Sequence, residues 1–232
     1  KIKEYLNSNY ERLWRAYLWR QSLQFDEVVT TTTNDEFLYL PKTVEEILVL
    51  SDRANDQILV PTNVQILMRK FLDSIADAGI AARYTHAGEY GVKAQPSASA
   101  KIEILSSTAD TATFRIWGLS GGEEITELLT LNGTTAVATT ASFTEIKRVA
   151  KNATTTGTVT VRQQTANTTL ATLAPSEKVV RYIRIRLHEV PDSADTLYLT
   201  YKKIFKPLVN DQDIVEIPVA PILQELAYAD CL

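Results

Sequence analysis

Few side chains in this 232-residue sequence are of the types that enzymes use as bases, nucleophiles or metal ligands. The two histidines, His86 and His188, lie far apart, and neither belongs to an HxH or HxxxH pattern. Cys231 is the single cysteine, which excludes an intrachain disulfide and a CxxC metal site. A zinc site needs four ligands, and these three residues are too few without carboxylates. We therefore expect structural roles for both histidines and a surface or interface thiol at Cys231.

The glycine, serine and acidic motifs also lack the spacing of catalytic or ion-binding sites. The glycine pair at 121–122 belongs to no phosphate-binding pattern, and Ser120 stands in GLSGG rather than in GxSxG, so a turn or bulge is expected there. The acidic clusters at 45–46, 123–124 and 211–213 could bind Ca²⁺ but lack EF-hand spacing, which favours solvated charge. Two carboxylates brought together by the fold could still act as in a glycosidase, and this alternative stays open. We predict a protein that is not an enzyme and that holds no cofactor or metal.

The composition is that of an ordinary globular chain, with 45 % apolar and 22 % charged residues. No apolar run approaches the ~20 residues of a transmembrane helix, and the first residues carry no signal-peptide core, so no membrane association is expected. The formal net charge of −4 argues against nucleic-acid binding driven by counterion release, although DNA could pass nearby without being held. A single cysteine fits a reducing compartment such as the cytoplasm. Because the sequence begins without methionine and ends inside a helical pattern, we expect further residues at both ends.

Three segments have the periodicity of amphipathic helices, and two of them lie near the ends of the sequence. The apolar stripe of the first consists of Leu6, Tyr10, Leu13, Trp14 and Tyr17. A second helix is predicted at about 62–77. The third begins near 217–218, where proline suits a first helical turn, and continues through Ile222 and Leu226. Each helix has one apolar face, which must be covered by the rest of the chain or by a partner.

The remaining sequence has the texture of short β-strands. Segment 112–117 alternates apolar with polar residues, and Asn132-Gly133 is a strong hairpin signal. Strands are predicted at 36–40, 44–50, 101–106, 112–117, 127–131, 157–162, 170–173, 179–187 and 196–202. The enrichment in Thr and Ala from 130 to 172 indicates a solvated sheet face. This pattern predicts a mainly β fold with helices (α+β). An antiparallel β-sandwich at 26–203, containing the 62–77 helix, is inserted between terminal helical elements at 1–25 and 204–232.

Motifs at both ends and in the middle resemble those of the head–tail connector (neck) proteins of tailed bacteriophages. The first helix looks like theirs, with Asn7 one turn before an aromatic and apolar stripe. Segment 47–61, a helix and then 78–84 are similar to the strand, helix and Gly-X-Pro-X-X-Tyr-like strand of that class, with Ala81 at the position where proline is commoner. The sequence DQDIVEIP at 211–218 is similar to the Asp-x-x-x-x-Ile-Pro segment that leads into their last helix.

The resemblance implies a structural virion protein located at the head–tail junction and made in the host cytoplasm. Such a protein is a subunit of a neck adaptor ring, typically twelve-fold, that joins the portal protein to the next tail or neck protein. DNA passes through the ring without sequence-specific binding. The aromatic and apolar side chains of the terminal helices are then candidates for the subunit or portal interface. These candidates are Tyr10, Leu13, Trp14, Tyr17, Trp19, Ile222 and Leu226. The alternative is that they form a core between the terminal helices.

Other functions remain as alternatives. A carbohydrate- or receptor-binding β-sandwich could use Trp117, Tyr182 and Tyr201 as stacking platforms. Another virion part, such as a tail-tube or capsid decoration subunit, is a related structural possibility. A sandwich-fold hydrolase with dispersed carboxylates is the enzymatic alternative.

Overall fold

A computed structural model describes residues 2–66, 77–210 and 212–229. It contains helices α1 (Ile2–Ala16) and α2 (Ala220–Ala229) and a 3-10 helix at Arg20–Ser22. The first strands in chain order are β1 (Leu23–Thr30), β2 (Phe37–Tyr39), β3 (Val44–Asp52), β4 (Gln57–Ile58), β5 (Val60–Pro61), β6 (Ala78–Gly79), β7 (Arg83–Tyr90) and β8 (Ile102–Ser106). They are followed by β9 (Thr113–Ser120), β10 (Glu123–Thr130), β11 (Val137–Ala138), β12 (Glu145–Lys151), β13 (Val159–Gln163), β14 (Thr169–Leu173), β15 (Tyr182–His188), β16 (Val190–Pro191) and β17 (Thr196–Lys203). The helix predicted at about 62–77 lies mostly outside the described residues.

Within the described part of the chain the strands pair in five small sheets. The four-stranded sheets have the orders β1-β17-β3-β4, β11-β8-β13-β14 and β2-β15-β7-β5. A three-stranded sheet has the order β10-β9-β12, and β16 pairs with β6. Pairing is parallel between β16 and β6 and between β5 and β7. The protein is thus mostly β, with 44 % strand against only 14 % helix.

The prediction of one antiparallel β-sandwich inserted between terminal amphipathic helices is wrong, because the strands are distributed over these separate sheets. The reason is that alternation identifies a strand and its buried face but not the strand with which it pairs. Strand β17 is near the end of the chain, yet it lies between β1 and β3, which both belong to the first quarter of the chain. Such long-range pairings depend on the whole fold and leave no local signal.

Contacts divide the chain into two compact units. Unit 1 contains Lys1–Leu38, Thr43–Thr85 and Leu187–Leu232, and unit 2 contains Tyr39–Lys42 and His86–Arg186. The terminal segments, predicted as helical elements apart from the β domain, belong to unit 1 together with β1, β3 and β17. Each unit has its own buried cluster of apolar side chains.

Unit 2 is built around a cluster to which β8, β9, β12, β13 and β14 all contribute. The fully buried members include Ile102, Ile104, Phe114, Ile116, Phe143, Ile146, Val149, Val159 and Val161. Strand β9 shows how the sequence produces this core, because Phe114 and Ile116 point inward whereas Arg115 and Trp117 alternate with them on the outer face.

A tight hairpin joins β9 to β10, and it lies one strand earlier than the predicted Asn132-Gly133 hairpin. Ser120 pairs with Glu123, so the loop is the glycine pair at 121–122, with φ values of 59° and 90°. Two successive positive φ angles are what a two-residue hairpin turn requires, and glycine adopts them without strain. Asn132 does form a turn, with a bridge to Thr135, but the next strand, β11, pairs with β8 instead of β10.

Candidate functional site

The inward face of α1 packs against the segment that leads into α2 and against α2 itself. Tyr10 and Trp14 are each only 1 % exposed. Their cluster also contains Leu208, Ile217, Val219 and Leu223, with Leu6, Leu13, Trp19, Phe205 and Val215 partly buried around it. The rings of Tyr10, Trp14 and Phe205 meet edge to face, with centroids 5.0–6.1 Å apart. The two ends of the chain therefore form one packed structure within unit 1.

Polar atoms on the same face of α1 bind the backbone of the irregular segment before α2. The Asn7 amide donates to the carbonyl oxygen of Leu208 at 3.0 Å and accepts from its backbone N–H at 2.8 Å. The Tyr10 hydroxyl accepts from the Glu216 N–H at 3.1 Å, and Trp14 Nε1 donates to the Lys203 carbonyl at 3.2 Å. Burial raises the pKa of Tyr10. These bonds join α1 to the end of β17 and to the irregular segment that leads into α2.

The end of α1 leaves aromatic groups at the surface. Trp19 is partly buried, and its Nε1 donates to the Leu13 carbonyl at 2.8 Å. Tyr17 lies one residue beyond the helix and is 61 % exposed, with its ring 5.4 Å from that of Trp19. Leu18 is 59 % exposed. The stripe predicted from spacing is thus divided between core and surface at the point where the helix ends.

Helix α2 exposes apolar groups in the same way. Ile222 is 51 % exposed and Tyr228 is 69 % exposed, whereas Leu223 is buried and Leu226 is partly buried. Ile222 and Leu226 share one face at i and i+4. We call the exposed set Tyr17, Leu18, Ile222 and Tyr228 the terminal apolar residues. Such side chains can bind apolar groups of another molecule, and the two tyrosine hydroxyls can also form hydrogen bonds with it.

Of the seven predicted interface residues, the structure therefore places Tyr10 and Trp14 in the core of unit 1. Leu13, Trp19 and Leu226 are partly buried, and Tyr17 and Ile222 are exposed. Leu18 and Tyr228 were missed by the sequence analysis. Leu18 lies four residues after Trp14, so the helical spacing that defines the stripe could have found it. Tyr228 lies off the i, i+4 stripe of Ile222 and Leu226, so spacing does not indicate it.

Buried charged groups in unit 2 have structural partners. The Asp110 carboxylate accepts from the Ser106 hydroxyl at 2.6 Å, from Thr108 Oγ1 at 2.9 Å and from the backbone N–H groups of Thr156 and Gly157 at 2.8 and 2.9 Å. The bond from Ser106 is the main cause that holds the pKa of Asp110 well below its usual range, followed by the two backbone bonds. An acid held ionised by four donors ties loops together and is a poor general base at neutral pH.

Lys151 has a similar structural role. Its ammonium group donates to Thr155 Oγ1 at 2.7 Å and to the carbonyl oxygens of Ala174 and Pro175 at 2.9 and 2.8 Å. Burial lowers the pKa of Lys151. All three ammonium protons are engaged, so the side chain cross-links β12 to the loop after β14.

The sequence candidates for metal chemistry are dispersed. His86 is exposed, and its Nδ1 accepts from the Gly88 N–H at 3.2 Å, whereas His188 is buried on β15. Glu45 pairs with Arg15 at 2.6 Å. No group of three or more His, Cys, Asp or Glu side chains is close enough to hold a metal ion among the residues described, which do not include Cys231.

The three aromatic residues considered for sugar stacking differ in accessibility. Tyr182 and Tyr201 are 4 % and 2 % exposed. The Tyr182 hydroxyl accepts from the Thr172 N–H at 3.2 Å, and the Tyr201 hydroxyl donates to Glu27 at 2.6 Å. Only Trp117 of the three has an accessible ring surface. A stacking site built from all three is therefore absent from the described structure.

Comparisons with known proteins do not identify the chain. No protein-family model, curated protein or solved structure matches it. Across residues 2–66, 77–210 and 212–229, no helix is long and apolar enough to cross a membrane.

Proposed function

We propose that this chain is a non-catalytic structural subunit of the head–tail connector of a tailed bacteriophage, and that the terminal apolar residues bind a neighbouring subunit. The observation that carries the proposal is the exposure of Tyr17, Leu18, Ile222 and Tyr228, each more than half accessible after both chain ends have packed together. Large apolar side chains exposed on the two terminal segments favour a partner that removes them from water.

The arrangement of the resemblance motifs supports the same proposal. Asn7 and Tyr10 belong to the motif of the first helix, and Glu216 belongs to the motif that leads into the last helix. These motifs touch, because the Tyr10 hydroxyl accepts from the backbone N–H of Glu216. Asn7 binds the backbone of Leu208, shortly before the second motif. Both motifs therefore help to build one structure, which presents the terminal apolar residues.

The assembly that fits this surface is a closed ring. A heterologous interface between identical subunits forms a ring when its rotation closes, and the family resemblance implies twelve-fold symmetry. The portal protein and the next tail or neck protein would bind the two ends of that ring. Unit 1 contains twelve Lys and Arg side chains against twenty Asp and Glu, an acidic balance that suits passage of DNA without binding it.

The location on the virion tests the proposal directly. An antibody raised against the chain should label purified particles at the junction of capsid and tail in electron micrographs. Label on fibres or on the capsid surface, or no label on particles, would contradict the connector assignment.

The interface is tested by two matched substitutions of exposed apolar residues. We expect the purified protein to form oligomers in native mass spectrometry, and the double variant Tyr17→Ser with Ile222→Ser to shift them to monomer. Ile58→Ser is the control, since Ile58 is 65 % exposed on β4, away from both helices in the sequence. If the control disrupts assembly equally, or if the double variant assembles normally, the terminal apolar residues are not the interface.

A further inference from the structure

The outer face of the β10-β9-β12 sheet in unit 2 carries an arginine–tryptophan cluster. Arg115 and Trp117 are two residues apart on β9 and share that face. Arg148 on β12 is the cross-strand partner of Trp117, and Leu128 on β10 is the partner of Arg115. Leu128 is 60 % exposed. Three strands thus place two guanidinium groups, one indole and one aliphatic group side by side.

Both guanidinium groups lie over the indole ring. Their central carbons are 5.6 Å (Arg115) and 5.0 Å (Arg148) from the ring centroid of Trp117. Neither guanidinium donates a hydrogen bond to another described residue, so the N–H donors of both stay available for a planar anion. Within the described residues, neither Arg115 nor Arg148 has a carboxylate within ion-pair distance.

A shallow cavity of about 380 Å³ opens beside the ring. It is lined by Thr113, Arg115, Trp117, Leu128, Ala150, Lys151 and Asn152. The volume is within the range of small-ligand sites, and the lining combines an apolar wall with hydroxyl and amide groups. Lys151 adds no free donor, because its ammonium group is already bound by three acceptors. The charge available to a ligand therefore comes from the two arginines.

Unit 2 has the opposite charge balance from the chain as a whole. It contains twelve Lys and Arg side chains against eight Asp and Glu, whereas the full chain has a formal charge of −4. Several of its other cations are paired with carboxylates, as in Lys147–Glu124, Arg162–Glu103, Arg181–Glu89 and Lys42–Glu177. The unpaired arginines beside Trp117 are therefore the part of this surface that is best prepared to receive an anion.

We infer that this face of unit 2 binds a carboxylated saccharide, such as a uronate unit of an acidic glycan. A sugar ring packs its apolar C–H face on Leu128 and on the part of the Trp117 indole that remains accessible, and its carboxylate accepts N–H bonds from Arg115 and Arg148. Sugar hydroxyls reach Thr113 and Asn152 at the edge of the cavity. A single-stranded nucleic acid fits less well, since it needs a basic groove that follows many phosphates rather than two guanidiniums around one ring. This inference is independent of the proposed assembly role.

The test measures binding of a short oligogalacturonate to the full chain by isothermal titration calorimetry. Its methyl ester is the matched ligand, because it keeps the sugar rings and removes the charge. We expect the ester to bind roughly tenfold more weakly or worse. The double variant Arg115→Ser with Arg148→Ser, and separately Trp117→Thr, should weaken the acid form by a similar factor. Lys101→Ser, which removes one positive charge at an exposed residue of unit 2, should leave binding unchanged.

Thermal unfolding of each variant shows whether the fold survives. If Trp117→Thr unfolds, the double arginine variant still tests the site, because both arginines are exposed. The inference is overturned if the acid form does not bind, if the ester binds equally well, or if Lys101→Ser weakens binding as much as the arginine variant. Single-stranded DNA is the third probe. If DNA binds at Arg115 and Arg148 more tightly than the oligogalacturonate, the face is a nucleic-acid site and the saccharide assignment is wrong.

Discussion

Replacing Trp14 separates a core role from an interface role for the aromatic stripe of α1. The side chain is 1 % exposed, contacts Tyr10 and Phe205 edge to face, and donates one hydrogen bond to the Lys203 carbonyl. We predict that Trp14→Ala destabilises unit 1 without touching the surface at which subunits would meet.

The expected magnitude follows from these contacts. Removing a fully buried tryptophan costs about 3–5 kcal/mol through lost burial and the cavity that remains. Trp14→Phe keeps an aromatic ring but leaves the Lys203 carbonyl without its donor, which costs about 1–3 kcal/mol. By contrast, Tyr17→Ala removes a side chain that is 61 % exposed, so stability should change by less than about 0.5 kcal/mol.

The assay is urea unfolding combined with hydrogen exchange resolved by peptide, so that each unit is followed separately. We expect Trp14→Ala to lose protection in α1, in 203–219 and in α2, while peptides from the β8, β9 and β13 strands of unit 2 stay protected. Tyr17→Ala should retain the wild-type profile and lose oligomers in native mass spectrometry. If Trp14→Ala has wild-type stability and nevertheless fails to assemble, Trp14 is an interface residue and the packing argument is refuted.

Two further predictions concern unit 2. Asp110→Asn should lower the unfolding midpoint at neutral pH and make the midpoint fall less steeply in acid. The hydrogen bonds that depress the pKa of Asp110 stabilise the fold fully above the ordinary aspartate pKa of ~3.9. This contribution is lost as the pH falls through the lowered pKa. A variant with the same acid dependence as the wild type in thermal unfolding at several pH values would contradict this role. Gly118→Ala should destabilise the protein by about 1–3 kcal/mol, because a Cβ there would meet the Glu145 carbonyl oxygen and the Phe143 ring. Gly121→Asn is the control and should leave stability nearly unchanged, since the site is open and its φ of 59° suits asparagine. Equal stability of Gly118→Ala and Gly121→Asn in urea would show that the backbone shifts to make room for the Cβ at residue 118.

Features governed by local periodicity could be predicted from the sequence. The spacing of Leu6, Tyr10 and Trp14 predicts a helix, and α1 spans Ile2–Ala16. Alternation in 112–117 predicts the strand that became β9, and the glycine pair at 121–122 predicts a turn. Each depends on neighbours within a few residues, whose steric and hydrophobic preferences act in any context. Strand β1 was missed because its alternation is interrupted by a bulge between Gln24 and Glu27, where Asp26 has a φ of 52°.

The candidate site was only partly predictable, because local spacing identifies a face of an element but not the segment that covers it. Spacing assigns Trp14 and Tyr17 to one stripe, and it says nothing about what covers that stripe. Segment 203–219 covers Trp14, whereas the helix ends before Tyr17 and leaves it exposed. Likewise, Trp117 and Arg115 share a face by alternation alone, but Arg148 joins them only through the pairing of β12 with β9.

By itself, the sequence determined the local elements of this protein, the faces they bury and a net charge of −4. The tertiary structure decided which strands share a sheet, which aromatic side chains are core and which are surface, and how acidic and basic residues are divided between the two units. The difference is physical. Local conformation follows from the preferences of adjacent residues, whereas pairing and burial depend on contacts between segments far apart in the chain, and these exist only once the fold has formed.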